Sequence, residues 1–375
     1  MPHILTINAG SSSVRYAMFS SGAQVARVLD GKMERIGSEA AAAIANRLAQ
    51  KLEAQSHRAA PDAIGHRVVH GMLHSRPERV SPTLLTELRR IASFDPEHLP
   101  REIELIEAMQ HHYPDVPQVA CFDTAFHRGM PAEATLLPIP RRYEGQGVRR
   151  YGFHGLSYAF LTEELVRLGD RAATTGRVIL SHLGNGASLA AVRDGKSFDT
   201  SMGFTSTAGV PMSTRSGDLD PGLVWYLSRT ENMGAKQFNE MVNFQSGLLG
   251  ISDTSSDMRD LLDRESKDVR AAEAVALFCY QVKKWIGAFA AALGGLDTLV
   301  FAGGIGENAP TVRSRICEGL GFLGIQLEEK QNAANEGVIS TASGRVAVRV
   351  IRTDEERMIA KLVCCVLGLS SKKEN

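Results

Sequence analysis

Apolar positions along the chain follow two recurring patterns. Short aliphatic and β-branched runs at 4–7, 14–19, 64–69 and 118–122 read as strands. Between them, apolar residues spaced by three and four at 38–55, 83–94 and 101–112 read as helices. Strands alternating with helices imply an α/β domain. From about Arg149 the pattern starts again, with apolar runs at 178–180 and 189–192 and a tight Asp194-Gly195 hairpin turn toward Phe198. A long helix at 269–293, a strand at 298–302, a strand at 347–351 and a closing helix at 355–367 complete this half. Both halves open with a hydrophobic strand, a Gly/Ser/Asn turn and a returning strand, which predicts a duplicated domain with both copies facing a shared cleft. The most membrane-like stretch, 285–304, is broken by Gly294, Gly295 and Asp297 and reads as a buried helix, a turn and a buried strand.

Composition narrows the function classes. A chain of 375 residues has room for about two domains, and 43% hydrophobic with 22% charged residues suits soluble globular folding. The 42 Lys and Arg cancel the 42 Asp and Glu, which argues against a partner that is nucleic acid or a membrane surface. Five cysteines (Cys121, Cys279, Cys317, Cys364 and Cys365) form an odd set without a C-x-x-C pair, as expected of a reduced, cytoplasmic compartment. The opening Met1-Pro2-His3-Ile4-Leu5-Thr6-Ile7 lacks a signal-peptide pattern, so the mature protein is expected to begin there.

Three small-residue turns follow apolar strands, at Asn8 to Ser13, Gly184 to Ser188 and Gly303 to Asn308. Such turns let backbone N–H groups approach a polyphosphate, and a helix expected after the third would add a favourable dipole. The alternative is that each glycine merely permits a positive φ. A P-loop fails: Gly195-Lys196-Ser197 would need glycine at Ala190, and its flanks form a hairpin. A dinucleotide fingerprint fails as well, because Gly304-x-Gly306 is followed by Ala309 where a third glycine is required.

Several polar residues stand in the apolar frame. Arg67, inside Gly65-His66-Arg67-Val68-Val69-His70-Gly71, would be costly to bury alone, so its partner is an anion or an internal carboxylate. His66, His70 and His74 are spaced by four, but the intervening Val-Val-Gly favours a strand and a structural role over a metal site. Asp123 ends the 119–122 strand, an address for function in α/β folds or for an N-cap. His154, in Arg149-Arg150-Tyr151-Gly152-Phe153-His154-Gly155, is flanked by glycines that let other groups come close, though a lone His is more often structural. Arg215 lies in a polar loop before a helix opened by Pro221, where a surface Arg is the alternative.

These segments, in this order and across nearly the whole chain, resemble the acetate kinase family. The resemblance implies two duplicated actin/Hsp70-like (ribonuclease H-like) domains flanking a nucleotide cleft: residues 1–149 completed by the helix 356–375, and 150–355. It implies a homodimer and reversible transfer of a phosphoryl group between ATP and a short carboxylate, with Mg²⁺ or Mn²⁺. Acetate is the expected acid, with propionate or butyrate as alternatives. Carried over by position, Arg67 and Arg215 become carboxylate and phosphoryl clamps that converge on one small anion, His154 stabilises the transferring group, and Asp123 is the catalytic acidic residue, one that orients a cation or its bound water and takes no proton from the substrate. Val69, His98, Phe153 and Ser206 match substrate contacts, and Asn8 and Glu355 match metal-associated positions. Nucleotide contacts fall on Ser11, Ser12, Arg15, His182, Leu183, Gly184, Asn185, Gly186, Asp257, Met258, Arg259, Gly304, Ile305, Gly306, Glu307 and Asn308.

The chain departs from the family pattern at a few positions. Arg15 stands where the family usually has Lys, and Glu97 and Ser206 where it has Leu and Pro walling the acyl pocket. Leu156 and Tyr158 replace its common Thr and His. A carboxylic acid with a pKa of about 4 to 5 is ionised at neutral pH, so the reaction needs no general base but must overcome charge repulsion. Two arginines, an imidazole and a divalent cation meet that need. An alcohol or sugar kinase and a nucleotide-switched binding protein of the same fold are the rivals, and the arginine pair disfavours the first.

Overall fold

A computed structural model describes residues 1–10, 13–22, 24–34, 39–56 and 61–369, with the side chains of 55 and 56 left aside. The chain divides into two compact units. One comprises Met1–Arg128, Gly155–Phe160 and Asp354–Asn375, and the other Gly129–His154 and Leu161–Thr353.

The first unit is built on β1 (His3–Ala9), β2 (Ser13–Ser20), β3 (Ala26–Glu34), β4 (Ala63–Val68), β5 (Glu78–Arg79) and β6 (Gln118–Phe122). Their order in the sheet is β3-β2-β1-β4-β6-β5. β1 pairs antiparallel with β2 and parallel with β4, and β4 pairs parallel with β6. The central strands are covered on both faces, which is why β1 and β6 read as continuous apolar runs. The helices Ala41–Ser56 and Leu99–His112 bury Ile44, Leu48, Leu105 and Met109 against Leu5, Ile7 and Ile64.

Gly65 neighbours Ile64 and so points to the other face of β4. There the helix Glu355–Leu367 packs so closely that a Cβ on Gly65 would lie 2.4 Å from Ile359 Cγ2 and 2.6 Å from Val363 Cγ2. The glycine lets the last helix close on the first sheet and holds Glu355, at its start, beside the ends of the strands.

The second unit carries β7 (Arg177–Leu183), β8 (Ala187–Arg193), β9 (Lys196–Thr200), β10 (Thr298–Ala302) and β11 (Ala347–Val350), in the order β11-β10-β7-β8-β9. Counting outward from β7, antiparallel β8 and β9 lie on one side and parallel β10 and β11 on the other. β1 has the same neighbours in the same directions, with β2 and β3 on one side and β4 and β6 on the other. The duplication expected from the two opening hairpins is therefore a shared strand order. Asp194 (φ 52°) and Gly195 (φ 73°) make the β8–β9 turn, both in the left-handed region that a two-residue hairpin demands. The helix Val269–Leu293 starts where the Asp268 carboxylate accepts the Arg270 N–H at 3.0 Å and stops at Gly294 (φ 73°).

Two sequence readings are corrected. The third small-residue turn is not a loop ahead of a helix: Gly303 (φ 76°) turns the chain at once and Gly303–Asn308 is itself helical, with a second helix starting at Pro310. The first turn is shorter than expected, because β1 runs on through Asn8 and Ala9. Ser11 and Ser12 lie outside the described residues. Among the described residues no helix is long and apolar enough to cross a membrane.

Because both atoms facing Gly65 belong to buried branched side chains, Gly65→Ala is expected to cost about 1–3 kcal/mol through overpacking. Thermal unfolding would show a melting point lowered by several degrees, and an unchanged curve would mean that the helix is free to shift.

Candidate active site

Parallel pairing of β4 and β6 sets Arg67 opposite Cys121 and Val68 opposite Phe122, so Asp123 emerges beside Arg67 at the same end of the sheet. Arg67 Nε and Nη2 donate to Asp123 Oδ2 at 3.0 and 2.6 Å. Its Nη1 reaches Ala9 O at 3.3 Å and Asn8 Oδ1 at 3.4 Å. The Arg67 side chain is 14% exposed and that of Asp123 is fully buried. Burial disfavours the guanidinium charge, but Asp123 and Glu355 outweigh it and push the Arg67 pKa above its ordinary value. Of the two partners that the sequence left open for Arg67, the internal carboxylate is present.

Asn8 links this pair to the start of the last helix. Its Nδ2 donates to Glu355 Oε2 at 2.7 Å and Glu356 Oε1 at 3.0 Å. Burial raises both glutamate pKa values, Asp123 adding to the first and Glu355 to the second, while Arg67 and Asn8 oppose the rise at Glu355. Glu356 was not among the expected site residues, although it adjoins Glu355 in the sequence. Asn8 Oδ1 and the two carboxylates are hard oxygen donors, a set whose chemistry fits a hard divalent cation. Among the described residues no group of three or more His, Cys, Asp or Glu is placed to hold a metal by itself.

Val69 and His98 join the same unit through residues that the sequence reading missed. The Val69 N–H donates to Glu102 Oε2 at 3.0 Å, and His98 Nδ1 pairs with Asp95 Oδ1 at 2.9 Å. Glu102 could have been noticed as a carboxylate on the apolar face formed by Leu99, Ile103, Ile106 and Met109. The other histidines of this region go to separate partners: buried His66 to Gln118 at 2.7 Å, and His74 to Glu78 at 2.8 Å. Burial lowers the His66 pKa to about 4, so its ring is neutral.

In the second unit the β7–β8 turn gathers the other expected group. His154 is a non-glycine residue at φ 57°, a conformation held by its surroundings. Its Nδ1 pairs with Ser188 Oγ at 2.8 Å, and its ring stacks on His182 with centroids 4.4 Å apart. A Cβ on Gly186 would lie 3.1 Å from His154 Nε2 and 3.8 Å from Arg215 Nη1, so imidazole and guanidinium border the same glycine. Arg215 Nη1 donates to Ser206 O at 3.3 Å, and the Ser213 N–H to Asn185 O at 3.1 Å. Phe153 is buried beside His154 in the chain.

The two remaining small-residue turns meet. A Cβ on Gly303 would strike Leu183 O at 2.7 Å, and one on Gly184 would come 3.7 Å from the Gly304 nitrogen. Glu307 Oε1 accepts the Gly303 N–H at 2.9 Å and the Thr353 N–H at 3.1 Å, while Asn308 Nδ2 donates to Gly304 O at 2.9 Å. Fully buried Arg313 donates to Gly306 O and Asn332 Oδ1, both at 2.8 Å, and fixes the far end of this helical turn. Ile305 and Gly306 lie within that turn. Asp257 caps the helix Met258–Arg264 and pairs with Arg259 at 2.6 Å, an association of neighbours on a separate helix, with Met258 buried.

A family model described as the acetokinase family matches residues 37–361. The chain belongs to the acetokinase family. It is 40% identical to the acetate kinase of Rhodopseudomonas palustris over 96% of this chain and 97% of that one, and 42% identical to the acetate kinase of Rhizobium meliloti with the same coverage. A crystal structure of Porphyromonas gingivalis acetate kinase superposes with a TM-score of 0.89 at 33% identity, covering 98% of this chain and all of that one. A propionate kinase from Francisella tularensis gives a TM-score of 0.88 at 34% identity with the same coverage. The paired sheets are thus the duplicated actin/Hsp70-like domains of this family.

The departures from the acetokinase pattern acquire surroundings. Tyr158 is fully buried, 5.7 Å ring to ring from His127 and 5.9 Å from Phe126, and so serves as packing. The Leu156 N–H points to Asp123 Oδ1 at 3.5 Å, and Gly155 is required because a Cβ there would lie 1.9 Å from Asp123 O. Arg15 is exposed on β2 and acts electrostatically on Glu355 and Glu356. Ser206 contributes its backbone carbonyl to Arg215, and Glu97 is exposed.

Removing one member of a buried ion pair strands the other. Asp123→Ala should therefore lower the unfolding free energy by about 3 kcal/mol, and Asp123→Asn by clearly less, in denaturant titrations. Equal losses for the two variants would show that the charge, absent from both, and not the acceptor shape that Asn keeps, holds Arg67.

Proposed function

We propose that this protein is an acetate kinase, reversibly transferring the terminal phosphoryl group of ATP to acetate to give acetyl phosphate and ADP. Near full-length likeness to acetate kinases carries this reading. The substrate carboxylate is an anion at neutral pH and attacks phosphorus directly, so no group needs to remove a proton from it. Arg67, oriented by Asp123, receives the carboxylate together with Val69 and His98. Asp123 already accepts two donors from Arg67, which supports an orienting role for it over that of a base. His154 and Arg215 offset charge on the transferring phosphoryl group, with Ser188 and His182 fixing the imidazole.

The turns at His182 to Gly186 and Gly304 to Asn308, with Asp257 to Arg259, are proposed to hold the nucleotide, their glycines admitting phosphate and ribose close to the backbone. Glu355, Glu356 and Asn8 would hold Mg²⁺ or Mn²⁺, which when bound supplies charge neutralisation for the polyphosphate. The protein is further proposed to act in the cytoplasm as a homodimer. The helix Gly222–Thr230 supports the dimer, since it has no buried residue and leaves Trp225 69% and Tyr226 60% exposed beside Leu223 and Val224.

Trapping of acyl phosphate by hydroxylamine tests the reaction. Acetate with ATP should give hydroxamate, with propionate and butyrate ranked below it by kcat/KM. Pyrophosphate in place of ATP should give none. Arg67→Ala and Arg215→Ala should each lose several orders of magnitude in kcat/KM. Phosphorylation of a sugar without acyl phosphate would overturn the assignment. Sedimentation velocity tests the assembly: the native chain should run as a dimer and Trp225→Glu should shift it toward monomer, whereas a monomeric native chain would refute the proposed dimer.

A further inference from the structure

Glu102 lies on the core-facing side of the helix Leu99–His112 and is 4% exposed. One carboxyl oxygen accepts the Val69 N–H at 3.0 Å, and the other, Oε1, has no hydrogen-bond partner among the described residues. A carboxylate supplied with a single backbone donor in such a place is poorly compensated for its lost water. The groups acting on it are Arg67 from β4, Asp95 from the segment before the helix and Asp123 from the end of β6, with His98 held on Asp95. Arg67, the one cation of this set, is already engaged by Asp123 and is acted on by Glu355 as well. An ionised Glu102 would place one more negative charge beside the guanidinium that is to receive an anionic substrate.

We infer that Glu102 is a positioning residue for the carboxylate: uncharged, it holds the Val69 backbone near Arg67 without adding negative charge, and its ionisation weakens carboxylate binding. The inference rests on the carboxylate-kinase reading above. Burial chiefly, with Asp95 and Asp123 adding to it and Arg67 and the Val69 N–H opposing, raises the Glu102 pKa to about 8. The sign follows. Below that pH the group is a neutral acid, and above it becomes an anion. Simple carboxylic acids ionise at about 4 to 5 and a terminal phosphate at about 6, so neither substrate changes charge above neutrality.

The test measures the KM values for acetate and ATP and kcat from pH 6.5 to 9.5. In the native enzyme the acetate KM is expected to rise roughly tenfold with a midpoint near pH 8, while the ATP KM changes little. Glu102→Gln keeps an acceptor for Val69 and cannot ionise, so its acetate KM should lose this alkaline rise. Glu102→Asp, too short to reach, should raise the acetate KM at every pH. An alkaline rise that persists in Glu102→Gln, or that appears equally in the ATP KM, would overturn the inference. Carbon-13 NMR of enzyme labelled at glutamate carboxyls gives a readout besides activity. A carboxyl that titrates near pH 8 in the native enzyme, is missing from Glu102→Gln and is moved upward by acetate supports the inference, since binding and protonation are linked reciprocally; the lack of such a titration refutes it. Native enzyme that forms no acyl phosphate from any carboxylic acid would instead refute the kinase reading, so the two failures are distinct.

Discussion

Arg67 against Asp123 is the contact on which the polar set of the first unit depends. Neither group could be buried there alone, since each would lose its hydration without compensation. Their meeting follows from the sheet: β4 and β6 are parallel neighbours in register, so the strand carrying Arg67 and the residue just past Phe122 finish at the same edge. Once the pair is in place, the remaining polar groups arrange around it, Asn8 from β1, Glu355 and Glu356 from the last helix, and Glu102 from the helix covering the sheet. The result is a guanidinium with an excess of carboxyl groups around it. Burial pushes the glutamates among them toward the protonated form.

The second unit solves a different problem. On the proposed reading its site must let phosphate oxygens approach the main chain, and its glycines have no side chain to obstruct them. Gly186 leaves room against His154 and Arg215, Gly303 against the Leu183 carbonyl, and Gly184 against the Gly304 nitrogen. Rigid neighbours hold these open turns: Ser188 and His182 fix the His154 ring, Glu307 spans the backbone from Gly303 to Thr353, and Arg313 pins the carbonyl of Gly306. Glycines supply close approach of the turns and buried polar side chains supply order. Duplication of one strand order gives each unit a polar strand end, yet the contents diverged, with Asn8 facing Arg15 across the first hairpin and His182 facing Ser188 across the second.

Much of this was legible before any coordinates. Period-two and period-3.6 patterns located the strands and the long helices, down to 269–293, 298–302 and 355–367, because burial of a continuous face leaves a regular trace in the chain. Arg67 stood out as a cation inside a β-branched run and Asp123 as a carboxylate at the end of a strand. The turn at Gly303 was misjudged, since a glycine can open a loop or start a helix at once and local composition does not distinguish the two. Glu356 and Arg313 went unnoticed because each occupies an ordinary helical position, whereas Glu102 left one trace, a carboxylate on an apolar face, and the importance of all three comes from what lies across from them.

Sequence alone therefore determined the alternation of elements, the duplication and the residue types available for handling anions, since these depend on neighbours a few positions away. Tertiary structure decided the pairings. Whether Arg67 meets a carboxylate, whether Gly65 admits a helix and whether Glu102 is neutral depend on groups tens or hundreds of residues distant, brought close only by strand register and helix packing. Electrostatic burial is a property of three-dimensional surroundings, and no one-dimensional pattern carries it.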